Sequence, residues 1–447
     1  MSWRHEVFGP MRERTLENAQ LFALTSRYDL SRDSRLARAI VRTVNQELDR
    51  EEARRGVQRV QAGELLLRTR HGPLIIPLRT PEMLERVLAG ERWNEVRADI
   101  LSDAAARYKQ HYPHAEGHQL ERFLRTLYPG RMPGRPGSGR HPSTQARRAR
   151  PYGNTIPGAM PLSDLDLERA RATTRRGAPR PAHHPNTLAA LTYFLDTQAG
   201  IPPAVQEAML FELIALRARY HPLASALASG QMPLAAMSTD AGRNLWKSTR
   251  EQPLAPILIT LLHGTEARTL RSTPPASSDA FLNLHARRMA RVLSEAYVQN
   301  GLLSYSEVQW IFLLGQATVG RALDSYQRQH NVILPCPGTV LDMGRTLTHK
   351  DLIVRLHLQG LTTLEIARST HHHPHSVDAY IKDFDAVLIL LLYGIPTNLA
   401  ASILRHGPSL IQEYHHIIRS YLKDPETMRD HLRDKGVTIP THVSHTG

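Results

Sequence analysis

Gly360-Leu361-Thr362-Thr363-Leu364-Glu365-Ile366-Ala367-Arg368, continued at Pro374-His375-Ser376-Val377, reads as a helix-turn-helix. Leu361, Leu364, Ile366 and Ala367 fall where a short first helix buries its apolar side. Thr362 or Thr363 can cap that helix, and Glu365 stands in its first turn, at the positive end of the dipole. Pro374 suits the first position of a second helix, where its fixed φ helps and its missing N–H costs nothing. Val377, Tyr380, Ile381 and Phe384 then recur at helical spacing. Such a unit places its second helix in the major groove of DNA.

Two neighbours share this rhythm. Upstream, Gly301-Leu302-Leu303-Ser304 leads into Glu307–Leu313, a turn at Leu314-Gly315-Gln316, and a second helix from Ala317. Downstream, Gly394-Ile395-Pro396-Thr397 leads into Ala400–Leu404, the turn Arg405-His406-Gly407, and a second helix opened by Ser409-Leu410-Ile411. Residues 301–424 are therefore expected to form an array of about three helix-turn-helix units, followed by a flexible tail over 425–447.

Five matched segments, in the same order, point to a duplication towards the N-terminus. Leu21–Thr25 answers Leu188–Thr192, and Leu36, Ala39, Ile40 and Val44 answer Val205, Ala208, Met209 and Leu213. Ala62-Gly63-Glu64 then answers Ser229-Gly230-Gln231, Pro73–Ile76 answers Pro256–Ile259, and Leu101–Ala104 answers Leu293–Ala296. The expected organisation is an α+β module over 14–111, a Pro/Gly/Arg-rich linker over 112–186 and a second copy over 187–300. In the first copy a helix over Ser34–Arg54 precedes a hairpin of Glu64–Arg70 and Pro73–Arg79, then helices over Pro81–Ala89 and Trp93–Tyr108. The fold class is mainly α with α+β modules.

The 447 residues carry a net charge of +14 with a pI near 10.1, a balance that suits a polyanionic partner. The longest apolar run, Ala386 to Tyr393, is far too short to span a bilayer, and the start lacks a signal-peptide core. One cysteine, Cys336, excludes a disulfide framework and fits a reducing cytoplasm. There is no Walker loop, no Gly-x-Ser-x-Gly and no His-Glu-x-x-His, so no enzyme and no cofactor is expected. His371-His372-His373 with His375 suggests a metal site, but zinc sites usually draw on cysteine and the lone Cys336 is distant; exposed turn residues are the better reading. Asp342-Met343-Gly344-Arg345 reads as the approach to a helix over His349–Leu358 capped by Thr348.

The segment Leu293–Ser304, with Leu334-Pro335, Gly338, Asp342-Met343-Gly344, Thr348-His349-Lys350 and the Gly360–Ile381 motif, resembles family 1670 of the domains of unknown function. The likeness runs from about Thr187 to Tyr421 and implies a C-terminal helix-turn-helix region, with no activity, ligand or catalytic residue. The central motif is also similar to the output domain of LuxR-type regulators in Gly360-Leu361-Thr362, Glu365-Ile366-Ala367 and Pro374-x-Ser376-Val377, departing from it at His373 and in Asp378 and Asp383.

The expected function is double-stranded DNA binding in transcriptional regulation. Phosphates would be held by Arg321, Arg328, Lys350, Arg368 and Lys382, and base or groove contacts made by Gln316, Thr318, His375 and Ser376. The modules would serve homodimerisation, ligand sensing or partner contact. The alternatives are a non-catalytic DNA-targeting subunit of a mobile-element or genome-defence system, and a helical protein-interaction scaffold.

Overall fold

The computed structural model describes residues 3–69, 71–114, 185–241, 252–263, 266, 279–330, 332–341 and 347–438. Most of the linker expected over 112–186 lies outside them. The chain is mostly α-helical with two small antiparallel sheets. It divides into two compact units, one holding the described residues up to Gln329 with Pro335–Pro337, the other those of His330–Leu334 and from Gly338 onward.

The first unit begins with α1 (Trp3–Phe8), α2 (Leu16–Arg27) and α3 (Ser34–Arg54). Asp33 starts α3 by accepting the Leu36 N–H at 2.9 Å, and Ala37, Ile40, Val41, Val44 and Leu48 bury one stripe of it. That stripe meets α6 (Pro185–Thr197) and α7 (Pro203–Tyr220) in a core that includes Leu24, Leu191, Leu195, Met209 and Leu213. Beyond the stripe, the buried Glu52 carboxylate is held by Arg217 at 2.6 Å and Arg59 at 2.7 Å.

After α3 come β1 (Glu64–Thr69) and β2 (Gly72–Pro77), paired antiparallel with Leu66 opposite Ile75, then α4 (Pro81–Leu88) and α5 (Trp93–His111). After α7 come β3 (Gln231–Ser238), β4 (Leu254–Thr260), α8 (Asp279–Val298) and the two-residue β5 (Gly301–Leu302), with sheet order β4-β3-β5. The two hairpins exchange hydrogen bonds reciprocally. Gly63 N–H donates to the Pro233 carbonyl at 2.8 Å, and Gly230 N–H donates to the Leu66 carbonyl at 2.7 Å. Each glycine has positive φ, +95° and +87°, and its own carbonyl accepts two N–H groups, from Leu78 and Arg79 or from Leu261 and Leu262. A Cβ at Gly63 would stand 2.4 Å from the Arg79 oxygen, and one at Gly230 2.0 Å from the Leu262 oxygen, so glycine is required at both turns. The unit closes with α9 (Tyr305–Phe312) and α10 (Gln316–His330).

The second unit is helical: α11 (Leu347–Leu358), α12 (Thr363–Thr370), α13 (Pro374–Leu392), α14 (Thr397–Leu404), α15 (Pro408–Tyr421) and α16 (Pro425–Arg433). α13 is its spine. Val377 and Ile381 join a core with Leu352, Ile353, Leu356, Ile366 and Ala367. Phe384, Val387 and Leu388 join another with Ile411, Tyr414, Ile417, Ile418, Met428 and Leu432.

Three local expectations need correcting. The segment from Pro425 onward carries a helix rather than fraying, because Asp424 accepts the N–H groups of Glu426 and Thr427 and because Met428 and Leu432 are buried. α11 begins at Leu347, which puts Thr348 inside the helix and not at its cap; residues 342–346 lie outside those described. His372 is buried at 4% exposure, so the histidine turn is not uniformly exposed.

Candidate nucleic-acid interface

Three helical hairpins share one local geometry. Each first helix is eight residues long: Tyr305–Phe312, Thr363–Thr370 and Thr397–Leu404. Each is followed by three residues, of which the first lies in the left-handed region: Leu313 at φ 50°, His371 at φ 58° and Arg405 at φ 56°. The second helices begin at Gln316, Pro374 and Pro408. A left-handed residue after a first helix reverses the chain without glycine, at a local strain that the packing on both sides must offset.

Capping fixes where the first two hairpins start. Ser304 and Glu307, and likewise Thr362 and Glu365, form reciprocal capping boxes. The hydrogen bonds from Thr362 hold the Glu365 carboxyl below its usual range. The third hairpin starts at Pro396 with no side-chain cap.

In the first hairpin Val319, Ala322, Leu323, Tyr326 and Gln327 are buried, which turns Gln316, Arg321 and Arg328 to solvent and leaves Thr318 half-buried. Its first helix is anchored from beneath: the buried Trp310 donates from Nε1 to the Leu78 carbonyl at 2.9 Å. Glu307, besides capping, forms ion pairs with Arg14 and Arg79.

In the second hairpin Arg368, His375 and Lys382 are exposed, whereas Ser376 is buried at 1%. His373 replaces a Ser or Thr cap directly, its Nδ1 accepting the His375 N–H at 3.2 Å. His372 places Nδ1 2.9 Å from the Thr370 carbonyl, and burial pushes His371 down to about 4. These turn histidines serve the chain reversal and, among the described residues, do not gather as a metal-holding group. Two carboxylates of α13 are engaged here, Asp378 by Lys382 at 2.7 Å and Asp383 by His406 at 3.0 Å.

In the third hairpin Ser409, Gln412, His416 and Arg419 are exposed on α15. Lys350 is half-buried and paired with Glu413 of that helix at 3.3 Å, so it ties α11 to α15. Sequence reasoning missed the engagements of Lys350, Asp383 and Glu307, whose partners lie 63, 23 and over 200 residues away. No local pattern encodes such pairs.

Among the described residues no helix is long and apolar enough to cross a membrane. No curated protein and no solved structure matches the chain. Residues 199–417, from just before α7 to within α15, match the model of a family described as a protein of unknown function (DUF1670).

Proposed function

We propose that this is a double-stranded DNA-binding protein whose helical hairpins act as helix-turn-helix units, in a role such as transcriptional regulation. The observation that carries the reading is the threefold recurrence of an eight-residue helix, a three-residue turn entered through a left-handed residue, and a second helix. The net charge of +14 supports it, as does the exposure of Gln316, Arg321, Arg328, Arg368, His375 and Lys382. The first hairpin is the better base reader, since no carboxylate accompanies Gln316 and Arg321 on the opening turns of α10. Lys350 and Ser376 act within the fold, and the second hairpin contributes Arg368 and His375 to phosphates.

The N-terminal α+β regions are read as two copies of one module packed about a pseudo-twofold axis. The reciprocal Gly63 and Gly230 hydrogen bonds support this, as does the four-helix core of α2, α3, α6 and α7. Such pairing within one chain supplies the interface that a homodimer would otherwise provide.

Fluorescence-anisotropy titration of the full chain against duplex DNA over a salt series tests the reading. Binding should weaken steeply with salt, with a log–log slope of about −0.9 per phosphate engaged. No binding at low salt would end it.

A second reading, a protein-interaction surface or a targeting subunit for a separate catalytic partner, is favoured by one observation. Leu399 and Ile403 stand one turn apart on α14 at 50% and 53% exposure, with Tyr393 at 42% just before that helix.

A further inference from the structure

We propose that His357, Asp385 and His431 form a binding site for a divalent transition-metal ion of the Zn2+ type, closed in the absence of metal by the Lys435 ammonium.

Three helices deliver the donors. His357 comes from the last turn of α11, Asp385 from the middle of α13 and His431 from α16. One ligand atom from each lies within 4.8 Å of the other two, and all three residues are half-buried. Two imidazoles and one carboxylate suit borderline first-row ions; magnesium and calcium prefer all-oxygen sites, and the absence of a thiolate or thioether disfavours copper(I). His431 Nε2 lies 3.3 Å from Asp385 Oδ1. That separation is close to the roughly 3.3 Å between ligands on a tetrahedral zinc with bonds of about 2.0–2.1 Å.

A second observation separates this group from an ordinary surface ion pair. His357 Nε2 is buried and has no hydrogen-bond partner among the described residues. Its ring meets that of His431 edge to face, centroids 5.9 Å apart, and Phe384 covers His431 from another side at 5.8 Å. An unmet buried ring nitrogen carries a desolvation cost that coordination would remove.

Lys435 is the cation already present. Its Nζ sits 2.7 Å from Asp385 Oδ1, just past the end of α16, with a side chain 27% exposed. A flexible stem at the rim lets the ammonium swing into water, so metal entry exchanges one positive charge for a doubly charged ion on the same carboxylate. The bound ion would pin α16 to α11 and α13, the helix that begins beside His375. The proposal is independent of DNA binding, because metal uptake is read without nucleic acid.

The test is titration of the chelator-treated full chain with Zn2+ in competition with a chromophoric chelator, with melting temperature as a second readout. The expected result is one equivalent bound and a melting temperature that rises with Zn2+. His431→Ala and Asp385→Asn should each weaken binding at least about tenfold, Lys435→Met should tighten it, and His373→Ala should leave it unchanged. Binding unaltered in His357→Ala, Asp385→Asn and His431→Ala chains that keep the native circular dichroism overturns the proposal. So does loss of the equivalent in His373→Ala. Lys435→Met guards against a folding artefact, since a variant that merely unfolds cannot bind more tightly.

Discussion

The Arg79 guanidinium lies 3.4 Å from the Glu307 carboxylate, with side chains 6% and 0% exposed, and Arg14 pairs with the other oxygen of the same carboxylate. One buried anion thus holds two cations and caps α9 at once. Glu307→Ala would strand two buried guanidiniums, and urea unfolding of the full chain should show a loss of about 3–5 kcal/mol. Burial alone would raise the Glu307 pKa, but the charges of Arg14 and Arg79, with hydrogen bonds from Arg14 and the Ser304 N–H, bring it below 4.5. The stabilisation is therefore complete above the ordinary glutamate range and is lost as pH falls through the depressed value.

His285 acts in the same direction, through burial and not through ion pairing. It is fully buried, and burial, followed by the charge of Arg288, pushes its pKa down to about 3. Unfolding lets the ring take up a proton below its normal 6.5, so stability should fall from pH 7 to pH 5 by ~2 kcal/mol from this group alone. His285→Phe should flatten that part of the pH profile in chemical denaturation.

The turn glycines allow a graded test. Gly56 has φ +63° with open space where a Cβ would go, whereas Gly63 and Gly230 face carbonyl oxygens at 2.4 and 2.0 Å. Gly56→Ala should cost about 1 kcal/mol from the left-handed backbone alone. Gly63→Ala and Gly230→Ala should each exceed about 2 kcal/mol, with Gly230→Ala the larger, because a backbone oxygen must also move. Equal midpoints for all three in urea would contradict the steric account.

On duplex DNA, Arg321→Ala with Arg328→Ala is expected to reduce the salt slope by about 2, roughly one for each lost phosphate contact. Arg368→Ala should reduce it by about 1. Lys350→Ala should leave the slope unchanged and lower the unfolding midpoint, since that ammonium is committed to Glu413. A Lys350→Ala slope change as large as that of Arg321→Ala would reverse this division of roles.

Much of the local architecture was legible because it is local. The limits Ser34–Arg54 of α3, the proline start of α13 and the turn Arg405-His406-Gly407 follow from periodicity and capping chemistry, and the structure places them there. The Asp424-Pro425 start of α16 obeys the same chemistry. It escaped notice because Met428 and Leu432 alone mark its buried side. Ser376 follows the motif spacing, yet it turns inward beside Val377, since the phase of a helix is set by the core that receives it. Ser304-x-x-Glu307 has the spacing of a capping box, and that cap accounts for the glutamate without any need for Arg14 or Arg79. The site formed by His357, Asp385 and His431 left no trace either, because its donors are separated by 28 and 46 residues and no spacing rule joins them.

The reciprocal bonds of Gly63 and Gly230 also set an order of events during synthesis. Leu66 waits for Gly230, 164 residues later, and Gly63 waits for Pro233, 170 residues later. At about 5–20 residues per second the ribosome needs roughly ten to thirty seconds to supply them. Throughout that interval Leu66 lacks Ala224, Leu227 and Leu258, the later residues it packs with in the finished chain. The nascent β1–β2 hairpin thus keeps that face of Leu66 uncovered until β3 and β4 have emerged.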